Sequence, residues 1–165
     1  MKVTRAASIP LVTHDPYFSI WSGADHLYDK DPVHWSQIRQ QLRGYVNVDG
    51  VVYSFLGDKE FHETIGQTGV DVTATSTTYT FENEKIILNV KFTSPLLLDD
   101  LTLVSRPCTY IDYAVEKKEN HAFIGYVGLH DITFDVDFAP AVEIGWREAD
   151  RLQRKTSGKR RRARI

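Results

Sequence analysis

The chain has 165 residues, 42% of them apolar, and its 20 basic and 22 acidic side chains leave a net charge of −2. That length admits one domain with a proper core, or one and a fraction, and no second catalytic domain. A lone Cys108 rules out an intramolecular disulfide, no run of about 18 apolar residues offers a membrane span, and Met1-Lys2-Val3-Thr4-Arg5 carries no apolar leader, so the expectation is a cytoplasmic protein with no membrane partner.

Taken in chain order, the apolar period is mostly two. Residues 34–42 could make two helical turns. Residues 45–56 form the clearest hairpin, because Asp49-Gly50 is a type I′ pair flanked by β-formers. A two-residue loop sets Val48 opposite Val51, Val46 opposite Tyr53 and Gly44 opposite Phe55, which predicts Val46, Val48, Val51, Tyr53 and Phe55 on one core-facing stripe. A Thr-rich strand is predicted from Val70 to about Phe81, turning at residues 82–85 and returning through Ile86, Leu88, Val90 and Phe92. Residues 96–103 fit either a helix behind Pro95 or a loop in which Asp99 or Asp100 accepts as a cap, with Arg106 as a possible partner. Further strands are expected at 109–115, 122–127 and 131–138, with Cys108 a small buried residue at the start of the first. Residues 151–165 then break the pattern: they hold eight of the 20 basic side chains and no acid, leaving the first 150 residues with 12 basic against 22 acidic, or −10. Such a tail can bind nucleic acid without sequence preference, yet its lack of any apolar period reads better as an out-of-frame or truncated-gene terminus without order, and nucleic acid is not the expected partner.

Two unusual strings stand out, Val12-Thr13-His14-Asp15-Pro16-Tyr17-Phe18-Ser19-Ile20-Trp21-Ser22 and Phe92-Thr93-Ser94-Pro95-Leu96-Leu97-Leu98-Asp99-Asp100-Leu101. With Pro32-Val33-His34-Trp35, the block from Val48 to Gly57, and Ser105-Arg106-Pro107, they resemble the N-terminal region of the glutaminase A family over roughly residues 6–148. The resemblance implies a β-rich region that precedes a larger helical toroid, in proteins that convert L-glutamine to L-glutamate and ammonia. It also implies that the hydrolytic residues lie in the toroid, so that this chain by itself is inactive and meets a small-molecule substrate only beside that missing domain.

The chemical inventory agrees with a chain that lacks its own catalytic set. The six histidines never fall at helical i, i+4 spacing, no Cys-x-x-Cys occurs, and Gly66-Gln67-Thr68-Gly69 lacks a phosphate loop's lysine, so no metal and no cofactor is expected. No nucleophile elbow is present, and consecutive carboxylates such as Asp99 and Asp100 seldom converge on one substrate. The residues best suited to the rim of a site are Asp15, Tyr17, Trp21, His34 and Trp35: three aromatic surfaces with a carboxylate and an imidazole. The plainer alternative buries Tyr17, Phe18, Ile20 and Trp21 beneath a sheet while Asp15 accepts backbone hydrogen bonds in a turn. Exposed rings would instead suit a free-standing carbohydrate- or small-molecule-binding module.

The sequence therefore predicts a mostly all-β chain, an incomplete antiparallel β-sandwich with little helix and a disordered basic tail. Its expected divisions are residues 1–70, 71–148 and 149–165, with self-association at an uncovered sheet edge.

Overall fold

In the computed structural model, which describes residues 6–59, 63–118, 127–130 and 161–164, the alternating apolar pattern produces three sheets. The first half of the chain supplies β1 (Ile9–Asp15), β2 (Phe18–Ser22), β3 (Val33–His34), β4 (Arg43–Val48), β5 (Val51–Leu56) and β6 (Glu63–Thr64). The second half supplies β7 (Gly66–Val72), β8 (Ser76–Glu82), β9 (Ile86–Thr93), the short helix α1 (Leu101–Val104), β10 (Tyr110–Lys117), β11 (Val127–His130) and β12 (Arg161–Arg164). One sheet runs β1-β2-β3, a second β11-β4-β5-β6, and a third β12-β10-β9-β8-β7. All neighbours are antiparallel except β5 and β6, which run parallel.

The second and third sheets face each other across one apolar core, a β-sandwich as predicted. Val46, Val48, Phe55 and Leu56 come from one side, and Val70, Tyr79, Phe81, Ile86, Leu88, Val90, Phe92 and Ile111 from the other. Strict alternation on β8 and β9 buries every second residue, so one face of each strand is fully withdrawn from water. Phe81 is the meeting point: its ring lies 5.8 Å from that of Phe55 and 6.5 Å from that of Tyr28, and Tyr79 on the same face packs edge-on against Phe92 at 6.3 Å. Burial pushes the Tyr79 hydroxyl well above its ordinary pKa, so it stays protonated and neutral within the core. The first sheet is tied to the third by the Thr77 hydroxyl, which donates to the Pro10 carbonyl at 2.7 Å, and by the Thr13 N–H, which donates to Ser94 Oγ at 3.1 Å.

The predicted hairpin forms with Asp49 at φ 53° and Gly50 at φ 88°, the left-handed pair its turn needs. Lys85 Nζ reaches Asp49 Oδ2 at 2.7 Å, linking this turn to the β8–β9 turn, and that hydrogen bond raises the lysine pKa. Register departs from expectation farther along. Val46 faces Tyr53 and Val48 faces Val51, but a bulge sets Gly44 opposite Leu56 instead of Phe55. The bulge turns Ser54, Phe55 and Leu56 all inward, while Val51 at the turn is exposed, so the core stripe is shorter at one end and denser at the other. Gly44 has to be glycine here because a Cβ would lie 2.5 Å from the Phe55 ring.

Other expectations are corrected by local hydrogen bonding. The strand predicted from Val70 to Phe81 is two strands, split where Thr73 Oγ1 accepts from the Ser76 N–H at 3.1 Å and the Thr73 N–H donates to the Ser76 carbonyl at 2.7 Å. The two helical turns expected at 34–42 do not form. The His34 N–H donates to the Ile38 carbonyl, Gln37 takes φ 71°, and Val33 bridges Arg39, which makes a tight reversal. Helix α1 starts at Leu101 and not behind Pro95, because Asp100 Oδ1 accepts from the N–H groups of Thr102 and Leu103. Cys108 is half-buried. In the basic tail, expected to be without order, residues Arg161–Arg164 pair with Tyr110–Tyr113 as an edge strand. The strand expected at 131–138, and that at 122–127 apart from Val127, lie outside the described residues.

Replacing Gly44 with Ala forces the Phe55 ring off the core, and overpacking of this kind costs about 1–3 kcal/mol. Gly23, beside which a Cβ meets nothing within 4 Å, provides the control. The urea midpoint should fall for Gly44→Ala and hold for Gly23→Ala.

Candidate functional site

The β1–β2 connection folds around one carboxylate. Asp15 Oδ1 accepts from the N–H groups of Tyr17 at 2.7 Å and Phe18 at 3.0 Å, an Asx turn that Pro16 favours by fixing its own φ. This turn sends Phe18 and Ile20 inward to a small cluster with Val12 and leaves Tyr17 74% exposed. The mostly buried His14 ring lies edge-on to Phe18 at 6.2 Å, with Nε2 3.8 Å from Asp15 Oδ2. Trp35 arrives from the reversal after β3 and is 58% exposed. Its indole N–H donates to the Pro16 carbonyl, pinning the two loops together.

His34, next to it, faces Ile20 across the β2–β3 pair. Its Nδ1 lies 2.7 Å from Ser36 Oγ and accepts from the Ser36 N–H at 3.3 Å, so the ring proton belongs on Nε2. That Nε2 is buried and has no hydrogen-bond partner. The Trp35 ring lies 5.4 Å from the imidazole at 48°.

Of the five residues singled out from sequence, the fold thus gathers Asp15, Tyr17, His34 and Trp35 at one hairpin tip. Trp21 is half-buried on β2, and its indole N–H donates to Ser19 Oγ on the same strand face. The three aromatic surfaces accordingly do not share one environment. Asp15 does what the plainer alternative expects of it, whereas Tyr17 does not pack beneath the sheet.

What holds the His34–Trp35 reversal in place is Asp31, which the sequence pattern did not single out. The Asp31 side chain is 1% exposed. Its Oδ2 is gripped by Arg39 through Nε and Nη2, while Oδ1 accepts from the Asp58 N–H at 2.8 Å and lies 3.5 Å from Arg43 Nε. Gly57 leaves room for this clasp: it sits at φ 79°, and a Cβ there would lie 2.9 Å from Asp31 Oδ1. Both ends of the reversal and the end of β5 are bound to one buried carboxylate.

A second polar group lies in the loop between β2 and β3. His26 Nδ1 is 2.9 Å from Asp29 Oδ2 and its ring stacks on Tyr28 at 5.3 Å. Asp29, with Asp25 and Lys30, lines a shallow hollow of about 620 Å³ whose remaining walls are Ala6, Ala7, Gly23 and Ala24. The His-x-x-Asp spacing is the signal that could have found this pair. No group of three or more His, Cys, Asp or Glu side chains able to hold a metal ion occurs among the described residues.

Against known proteins, residues 2–65 match a family model described as "Domain of unknown function (DUF4964)" and residues 75–131 match "Domain of unknown function (DUF5127)". A curated relative, "Glutaminase A" of Aspergillus oryzae (strain ATCC 42149 / RIB 40), is 29% identical over 155 residues. The match covers 89% of this chain but 21% of that protein, so the chain spans about a fifth of the relative's length. No solved structure matches the chain significantly.

Converting Asp31 to Asn keeps the shape of the side chain and removes its charge. Breaking one partner out of a buried ion pair costs about 3–5 kcal/mol, and the half-exposed Arg39 can return to water, so a loss near about 3 kcal/mol is expected. Chemical unfolding measures it. Trp35→Ala, which removes an exposed ring, should move the midpoint far less.

Proposed function

We propose that this chain, similar in sequence to the N-terminal part of a glutaminase-A-like protein, acts as a non-catalytic β-domain of an amide hydrolase and leaves the hydrolysis of glutamine to polypeptide outside it. The carrying observation is the match itself, which takes in 89% of this chain and only 21% of the relative. The geometry of the hairpin tip supports the same reading, since Asp15 is committed to two backbone N–H groups and His34 Nδ1 to Ser36. No thiol stands beside either, and the hydroxyl beside His34, Ser36 Oγ, lacks a complete activating relay, because the imidazole's other nitrogen, Nε2, has no carboxylate or other partner to orient it. What the tip offers instead is a rim: Tyr17 and Trp35 facing outward on loops held by Asp15 and Asp31. In a complete glutaminase-A-like protein such a rim would line the approach to a neighbouring site, with the small-molecule substrate as its partner.

The exposure of Tyr17 and Trp35 also favours a second reading, a free-standing module that stacks a saccharide or another small molecule on those rings. Titration calorimetry with soluble oligosaccharides separates the two. Binding lost in Trp35→Ala supports the module, and no heat supports the scaffold.

Under the first reading the purified chain releases no ammonia from glutamine above background. Saturable release that disappears in His34→Ala or Asp15→Ala would sink the proposal.

A further inference from the structure

A second exposed apolar group stands apart from everything assigned so far. Leu96, Leu97, Leu98, Leu101 and Leu103 are all exposed, Leu98 at 71% and Leu101 at 78%, and α1 buries none of its residues. Leu101 and Leu103 lie on a helix none of whose residues is buried, and leucines so exposed do not hold up the core. The segment is nonetheless ordered by its own bonds: Asp100 caps α1, the Ser105 N–H donates to the Leu101 carbonyl, and the Ser105 hydroxyl donates to the Thr102 carbonyl. At its root, Ser94 Oγ accepts the Thr13 N–H and lies 3.4 Å from Thr109 Oγ1.

The geometry points to this leucine segment as an interface between two copies of the chain, related by a two-fold axis across α1. Two features favour a second copy as the occupant. The first is charge: Asp99 precedes α1 and Arg106 follows it, so two antiparallel copies of the helix set the acid of each beside the base of the other. The second is extent. Five exposed leucines amount to several hundred Å² of apolar surface, within the roughly 300–600 Å² that marks an interaction patch.

Sedimentation of the full 165-residue chain between about 1 and 100 µM, the range in which a modest interface dissociates, tests the contact. The wild-type chain should reach a dimeric mass at the upper end and dissociate on dilution. Leu98→Asp with Leu101→Asp should remain monomeric with an unchanged unfolding midpoint, since both side chains are already in water. Arg106→Glu should shift the dimer toward monomer, and adding Asp99→Arg should restore it. A monomeric wild-type chain at about 100 µM overturns the proposal and leaves the leucines to a different partner. A double-leucine variant that dimerises like wild type overturns it equally, by placing the contact elsewhere.

Discussion

The sandwich closes on one contact, the Phe55 ring lying over Gly44 on its own sheet and against Phe81 on the other. Most of what surrounds it follows. Phe55 can reach inward because the bulge in β5 gives it a place between two paired residues, and the bulge is tolerable because Gly44 opposite has no side chain to displace. Phe81 then touches Tyr28 as well, which brings the loop after β2 onto the same core. A single cluster therefore takes in residues from Ile9 to Ile111.

Around this apolar centre the polar groups work by restraint. Asp31 is the clearest case. A carboxylate withdrawn from water is tolerated only if its lone pairs are used, and here two arginines and a backbone N–H use them. The result is a short loop whose chain direction is fixed at both ends while its tip, Trp35 and Ser36, stays in solvent. The same economy governs Asp15, which spends its oxygen on the turn that puts Tyr17 outside. The two carboxylates thus hold the loops on which the Tyr17 and Trp35 rings are exposed.

How much of this was legible in the sequence depends on range. Asp49-Gly50 was readable because a type I′ turn is decided by its own two residues, and β8 and β9 because their alternation is uninterrupted. The bulge was not, since it depends on a ring finding a glycine on the partner strand, and no two-residue period carries that information. The break at Thr73 hides behind high β propensity: threonine suits a strand, but its hydroxyl captured Ser76 first. Asp31 was missed for a related reason. A following proline reports on backbone geometry and says nothing of two arginines eight and twelve residues on. Of the five residues singled out from sequence, the fold brings Asp15, Tyr17, His34 and Trp35 to one hairpin tip, and the separate setting of Trp21 was decided by strand pairing that the sequence does not state.

The bond from Thr77 to the carbonyl of Pro10 spans 67 residues, and it dates the assembly of the fold. A ribosome adds about 5–20 residues each second, so β1 and β2 emerge several seconds before β8, the strand they dock on, has been made. During that interval the hairpin of β4 and β5 is complete, yet its inward face, Val46, Val48, Phe55 and Leu56, still lacks the sheet of β8 and β9 that it packs against. The nascent chain thus carries an open apolar sheet until β9 is out of the tunnel, and pairing across so long a separation is slow once it begins. Phe81 and Tyr79 arrive on β8, and Leu88, Val90 and Phe92 on β9 complete the facing sheet.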